Sequence, residues 1–402
     1  MSLLIKNGRI ITESGVLEGG FLLIQGEIIA KIGSGDKLPE ADEVIDLGGR
    51  FASPGFIDIH THGIADIDFM GEDIEDLHRS FEAYARFGVT GLLPTTITIQ
   101  FDTIIEQVKR LRKVMDGNAN GAMMLGVHVE GPWLSWKCRG GHPEEHLLVP
   151  NREDVMRLIG EVGDIVKTVT FSPELEHAVW LCETLSLHGI TPVIGHTEAS
   201  YDQTMEVIRA GARHVTHLFD ADLGIHESAH EALTFEPGME TAVLINDCVS
   251  VELIGCPIHV PKPLFRLVDK IKPRDKKILV SDSLIGAGMP ESSVITFRDG
   301  RQAEVKDGVL RMIYRDNPDL HGNLTGSAIT LNVAVKRLSE YIDAPLYEAL
   351  RWATFNPAAL LGIEGETGSL RVGKRADITV FDNDVHVSMT LLAGKPLFRD
   401  GV

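Results

Sequence analysis

Eight short apolar segments, each followed by an amphipathic stretch, limit the folds open to this chain more than any other feature. They begin at Phe56 (FIDIHTH), Val89 (VTGLLPT), Ala122 (AMMLGVHVE), Val166 (VKTVTFSPE), Thr191 (TPVIGHT), His214 (HVTHLF), Val249 (VSVELIG) and Lys277 (KILVSDS), with successive starts 23 to 44 residues apart. The stretches between them, such as DLHRSFEAYARFG and YDQTMEVIRAGA, repeat apolar residues at helical spacing. Several close on a glycine (Gly88, Gly189, Gly211), which suits a helix C-cap. Eight strand-then-helix units spell an α/β fold, a (β/α)8 barrel of the TIM type. The two ends read differently. LLIKNGRIIT, FLLIQGEIIAKIG and DEVIDLGGRFASPG at the front, and GSLRVGKRADITVFD and HVSMTLLAGKPLFRDGV at the back, are β-rich and broken by glycine. Residues 1–55 and 366–402 are therefore expected to join in one small β-sandwich domain, with residues 56–365 forming the barrel.

Composition removes several function classes. Hydrophobic residues make up 44% and charged residues 24% of the 402, an ordinary globular balance that excludes disordered and fibrous chains. The formal net charge is -20 and no basic stripe occurs, so nucleic acid is not an expected partner. No run of 18 apolar residues exists to span a membrane, and MSLLIKNGRI lacks the apolar core of a signal peptide. Four cysteines without CxxC spacing fit a reducing compartment, so the expected location is cytoplasmic.

Metal-ligand residue types fall at the C-terminal ends of the expected strands, the face on which barrel active sites are built. Segment one ends in His60 and His62, segment three in Glu130, segment five in His196, segment six in His217 and segment eight in Asp282. Residues two apart on a strand point to one face, so His60 and His62 can grip one cation. Imidazole suits zinc and other borderline divalent ions, and the two carboxylates fill further positions.

These residues resemble the amidohydrolase superfamily. The motifs PGFIDIHTHG, HVEGP, VIGHT, VTHLF, VSDS, NPAALLG and GSLRVGKRADITVFD span essentially the whole chain. HVEGP together with GHT, THLF and TGSAITL is most similar to its N-acetylglucosamine-6-phosphate deacetylase family. The resemblance implies metal ligands at His60, His62, Glu130, His196, His217 and Asp282. Glu130 would touch both of two divalent ions, zinc first, with iron, manganese or cobalt as alternatives. It implies that metal-held hydroxide attacks an amide carbonyl, with Asp282 as general base and then general acid. It implies substrate contacts at His142 (CRGGHPEEH), His259 (GCPIHV), Asp220 and Ala221, a small-molecule substrate, and a homodimer. Lys167 sits at the beginning of segment four, unlike the carboxylated lysine of other branches.

The chain departs from that pattern after segment six. HLFDAD replaces HLFNAM, so Asp220 stands where the family has asparagine. TFEPG replaces REPG, so Phe235 stands where an arginine binds phosphate. Phenylalanine cannot bind phosphate; Arg139 and Lys137 are the candidate substitutes. The expected substrate is an N-acetyl amino sugar or its 6-phosphate. Loss of the arginine keeps alternatives open: hydrolysis of another small amide, such as an N-acyl amino acid or a cyclic amide, or a deaminase activity. A non-catalytic binding protein is the reading from outside enzymes. Trp133 and Trp136 suit either sugar stacking or packing. His128 shares a strand face with Glu130 and suits either support of a ligand or packing. His226 and His230, four apart, read as a solvated face rather than a metal pair.

Overall fold

A computed structural model describes residues 2–117, 120–223, 225–227 (backbone only), 234–256, 258–314 and 320–401. All eight expected segments contain barrel strands. In order these are Phe56–Thr61, Val89–Pro94, Val127–Glu130, Val166–Phe171, Thr191–Ile194, His214–Val215, Ser250–Ile254 and Lys277–Val280. Strands three to eight form one parallel sheet, and strands one and two pair in parallel in another. The third segment is interrupted: Met123–Met124 extends the sheet of strands one and two before Val127–Glu130 enters the larger one. Two seams close the cylinder. Thr95 bridges His128 between strands two and three, and strand eight meets strand one where Asp282 N–H donates to the His60 carbonyl at 3.0 Å. A parallel sheet covered by helices is buried on both faces, which is why these strands read as mainly apolar runs.

Local chemistry sets the helices. Ile74–Arg86 starts on Asp73, whose side chain accepts from the N–H groups of Glu75 and Asp76, and it buries Leu77, Phe81 and Tyr84 on one face. Tyr201–Ala210 starts on a capping box between Ser200 and Gln203 and ends at Gly211, whose φ of +129° suits a residue without Cβ.

The two chain ends share one eight-stranded sheet. Its order is Lys395–Arg399, Val387–Leu392, Ile378–Phe381, Phe51–Pro54, Ser2–Thr12, Gly15–Gln25 and Ile28–Ser34, with Glu43–Asp46 also pairing with Ser2–Thr12. The junction between the ends is antiparallel, Ile378 opposite Pro54 and Phe381 opposite Phe51. An apolar cluster of its own (Ile5, Ile10, Leu22, Ile24, Ile378, Val380 and neighbours) fills this small β-sandwich domain. It docks on the first barrel helix through Thr379 Oγ1 to the Gly88 carbonyl at 2.6 Å and Thr390 Oγ1 to the Ala85 carbonyl at 2.7 Å.

One element was not expected from sequence. After strand eight, Val294–Thr296, Gln302–Lys306, Val309–Met312 and Leu324–Ser327 form a separate antiparallel sheet with a third apolar cluster around Ile295, Val305 and Leu310. It stands over the barrel mouth.

Candidate metal centre and active site

The six side chains expected to ligate metal converge at the C-terminal mouth. His60 Nε2 and His62 Nε2 are 3.3 Å apart, and each lies 3.3–3.4 Å from Asp282 Oδ1. His196 Nε2 and His217 Nε2 are 3.1 Å apart. Glu130 stands between the two groups. Its Oε1 is 3.3 Å from His60 Nε2, 3.3 Å from His196 Nε2 and 3.1 Å from His217 Nε2, while Oε2 is 3.3 Å from His62 Nε2. Backbone geometry helps to aim them: His196 (φ +49°) and Asp282 (φ +45°) both sit in the left-handed region two residues past the end of a strand. Non-glycine residues there carry strain, and such strain gathers at functional sites.

Hydrogen bonds on the far side of the rings fix which nitrogen faces inward. His196 Nδ1 lies 2.8 Å from the Cys138 carbonyl and His217 Nδ1 3.2 Å from the Asp220 carbonyl. A carbonyl only accepts, so each Nδ1 carries a proton and, in the neutral ring, each Nε2 presents a lone pair. His60 Nδ1 lies 3.1 Å from Glu252 Oε2, with the same consequence. His62 differs, because its buried Nδ1 has no partner among the described residues. Bare lone pairs facing one another at 3.1–3.3 Å repel unless a cation or a proton lies between them. The donor set therefore fits a divalent ion, and His60–His62–Asp282 and His60–Glu130–His217 each bring one ligand atom apiece within 4.8 Å of one another.

Electrostatics point the same way. Burial works against charge on His60, His62, Glu130, His217 and Asp282, yet the opposite charges outweigh it. Glu130 and Asp282 hold His60 well above the ordinary histidine range. Hydrogen bonds donated to Asp282 and Glu130 lift His62 to about 9, and Glu130 lifts His217 to about 10. In return, the charge of His60 and the hydrogen bonds of His142, His196 and His217 keep Glu130 well below the ordinary carboxylate range. The neighbouring imidazoles bring Asp282 to about 2. The mouth is thus a cage that demands positive charge, and a metal ion meets that demand with the imidazoles neutral.

The four expected substrate contacts, His142, His259, Asp220 and Ala221, all line one open cavity of about 430 Å3 whose floor includes His62, Glu130, His196, His217 and Asp282. His142 lies closer to the cluster than its loop position suggests. Its Nδ1 accepts the Thr98 N–H at 3.1 Å, so Nε2 carries the proton and faces Glu130 Oε2 at 3.3 Å. It is a donor to Glu130 rather than a lone pair offered to an ion. Burial opposes charge on His259, but a hydrogen bond donated to the Cys256 sulfur leaves it above the ordinary value.

Other expectations resolve differently. Trp133 is fully buried against Phe101, and half-exposed Trp136 is not a lining residue, so neither offers a face to a ligand in the cavity. His128 packs edge-on to His60 with centroids 4.6 Å apart and bonds Thr170 at 2.7 Å; burial takes it down to about 3, so it is neutral. Phe235 is 73% exposed and outside the cavity lining. Lys137 pairs with Glu198 at 2.7 Å, and Arg139 bonds the Trp136 carbonyl at 3.1 Å; neither lines the cavity. The His226 side chain and all of His230 lie outside the described residues.

Sequence reading missed Glu252. This carboxylate on strand seven is buried inside the barrel. It contacts His60 Nδ1 at 3.1 Å, His214 Nε2 at 2.7 Å, Thr216 Oγ1 at 3.1 Å and the His217 N–H at 3.3 Å. Those partners hold it well below the ordinary carboxylate range. The available signal was a glutamate inside the apolar run VSVELIG.

Residues 51–397 match the model of the amidohydrolase family. The chain belongs to the amidohydrolase family. Among its curated relatives, an N-acetylgalactosamine-6-phosphate deacetylase of Escherichia coli O157:H7 is 29% identical, over 98% of this chain and 99% of the relative. An N-acetylglucosamine-6-phosphate deacetylase of Haemophilus influenzae is 31% identical, over 98% and 99%. Among solved structures, the N-acetylglucosamine-6-phosphate deacetylase of Pasteurella multocida superposes with a TM-score of 0.86 at 30% identity, covering 98% of this chain and 99% of that one. Among the described residues, no helix is long and apolar enough to cross a membrane.

Proposed function

We propose that this chain is a metal-dependent amide hydrolase that removes the acetyl group from an N-acetyl amino sugar 6-phosphate. One observation carries the reading: four imidazole Nε2 atoms and the carboxylates of Glu130 and Asp282 converge on the floor of an open cavity. The substrate class comes from the relatives, which bear the names of amino sugar 6-phosphate deacetylases and match over nearly their whole length.

In this reading His60, His62 and Asp282 would hold one ion and His196 and His217 a second, with Glu130 completing the ligand set. Zinc is the first choice, and iron, manganese and cobalt accept the same ligands. The bound metal supplies Lewis acidity and brings the loss of a water proton into the neutral range. Asp282 takes that proton and returns it to the amide nitrogen as the C–N bond breaks and the water oxygen bonds the acyl carbon. Acetate and the free amino sugar leave. Glu252 keeps the His60 ring oriented, and His142 does the same for Glu130. His259, Asp220 and Ala221 contact the sugar from the walls. The reading takes residues 56–365 as the catalytic barrel and 1–55 with 366–402 as the accessory domain of a cytoplasmic homodimer.

Metal analysis and acetate release, measured on one preparation, test it. The expected result is two equivalents of a transition metal, and acetate from N-acetylglucosamine 6-phosphate or N-acetylgalactosamine 6-phosphate. Protein that carries no metal and stays inert on both sugars after zinc is added would sink the proposal.

A further inference from the structure

A phosphorylated sugar needs a cation away from the ions on the floor, and the position expected to supply it holds Phe235, exposed and outside the cavity. The floor and walls carry four carboxylates, Asp68, Glu130, Asp220 and Asp282. Among the described residues, the lining contains a single lysine or arginine, Arg301. It comes from the sheet over the mouth, at the end of the tight turn that joins Val294–Thr296 to Gln302–Lys306.

That turn is built to hold the side chain. Phe297 N–H donates to the Arg301 carbonyl at 2.8 Å and Gly300 N–H to the Phe297 carbonyl at 2.9 Å. Gly300 has φ +84°, which a residue with Cβ adopts only with strain. Asp299 accepts from the Arg301 N–H at 3.0 Å and from its Nε at 2.5 Å, and the guanidinium carbon lies 5.8 Å from the Phe297 ring centroid. Guanidinium has five N–H donors in a fixed plane. One is spent on Asp299, and no other protein acceptor takes the remaining four among the described residues. A planar fork, oriented from behind by a carboxylate, is the donor geometry suited to phosphate oxygens. Its side chain is half-exposed, which places it at the wet rim; a dianion held there keeps part of its hydration, whereas an acyl group must reach the floor.

We propose that Arg301 binds the 6-phosphate of the substrate and supplies the charge recognition that position 235 lacks. This rests on the deacetylase reading above, because that reading is what puts a phosphate in the cavity.

The test separates the two. Metal-loaded wild type, Arg301→Ala and Arg301→Lys are titrated calorimetrically with glucose 6-phosphate, which has the phosphate and no amide. They are then assayed on N-acetylglucosamine 6-phosphate and N-acetylglucosamine. Arg301→Ala is expected to weaken glucose 6-phosphate binding at least tenfold and to cut the kcat/KM preference for the phosphorylated sugar at least tenfold, mainly through KM. Arg301→Lys, a point charge without the fork, is expected to recover part of both. Wild type that does not bind glucose 6-phosphate, or Arg301→Ala that binds it equally well, overturns the assignment. If no variant releases acetate while Arg301→Ala still loses glucose 6-phosphate, Arg301 stands and the deacetylase reading falls.

Discussion

The barrel mouth and the terminal sheet are both well buried, but they bury opposite things. Inside the terminal sheet lie Ile5, Ile10, Leu22, Ile24, Ile378 and Val380, and its buried carboxylate, Asp377, is paired with Arg375 at 2.7 Å. At the mouth lie His60, His62, Glu130, His196, His217 and Glu252, all buried, with two ligand residues in left-handed backbone conformations. Buried apolar area stabilises the fold directly. Buried ionisable groups cost desolvation and hold together only through one another. The difference implies a division: substitutions in the sheet should be read in stability, and substitutions at the mouth in chemistry and metal occupancy.

The strongest way to break this division is Asp282→Asn. Asparagine keeps the shape but cannot shuttle a proton, so kcat should fall on the order of 10^3-fold or more while the far-UV spectrum and melting transition stay close to wild type. Activity within tenfold of wild type would remove Asp282 from proton transfer. Leu22→Ala is the reciprocal test. A fully buried leucine cut to alanine should cost about 2–5 kcal/mol in denaturant unfolding, with kcat of the folded enzyme unchanged. A matching loss of kcat would mean that the sheet helps to shape the mouth.

Glu252 sharpens the comparison because it lies in the core yet serves the mouth. Glu252→Gln keeps a polar group of the same size but loses the charge that faces His60 Nδ1 and His214 Nε2. Partners of this kind are worth about 10- to 100-fold in metal affinity. Competition with a chelator should show a loss in that range, with a far smaller change in kcat at saturating metal. An unchanged metal affinity would make Glu252 only a packing residue.

Legibility in the sequence follows the same divide. Barrel strands were readable because burial on both faces leaves mainly apolar runs, and the ligands because each ends such a run, as Glu130 does in VHVE and His196 in TPVIGHT. Glu252 was hidden because its partners, His60, His214 and the His217 backbone, come from other strands, and register across a barrel is not written in any one segment. The sheet over the mouth was hidden because ITFRDGRQAEV is short and lies beyond the eighth strand, where a barrel needs nothing more. Arg301 is an ordinary surface arginine until folding brings its turn over the cavity. The tautomer-setting contacts of His196 and His217 use backbone carbonyls, to which side-chain identity gives no clue.

The smallest expected effect concerns pH. In the metal-free protein His62 and His217 keep their protons up to about 9 and about 10, above the ordinary value of 6.5. A folded-state value above the unfolded one contributes stability that is complete below about 6.5 and is lost as pH rises through the folded values. Asp282, at about 2, behaves oppositely: its contribution is present above the ordinary carboxylate value of 3.8 and is lost only as pH falls towards 2. Between pH 7 and 10 the histidines therefore set the slope, and the melting temperature of the metal-free protein should fall by several degrees across that window. With metal bound the same imidazoles are neutral ligands, so this part of the slope should vanish, and zinc affinity should rise with pH as competing protons leave. The comparison of the two forms isolates the mouth, because every other titrating group, including those of the terminal sheet, is common to both. Parallel slopes with and without zinc would place the ion somewhere other than on these rings.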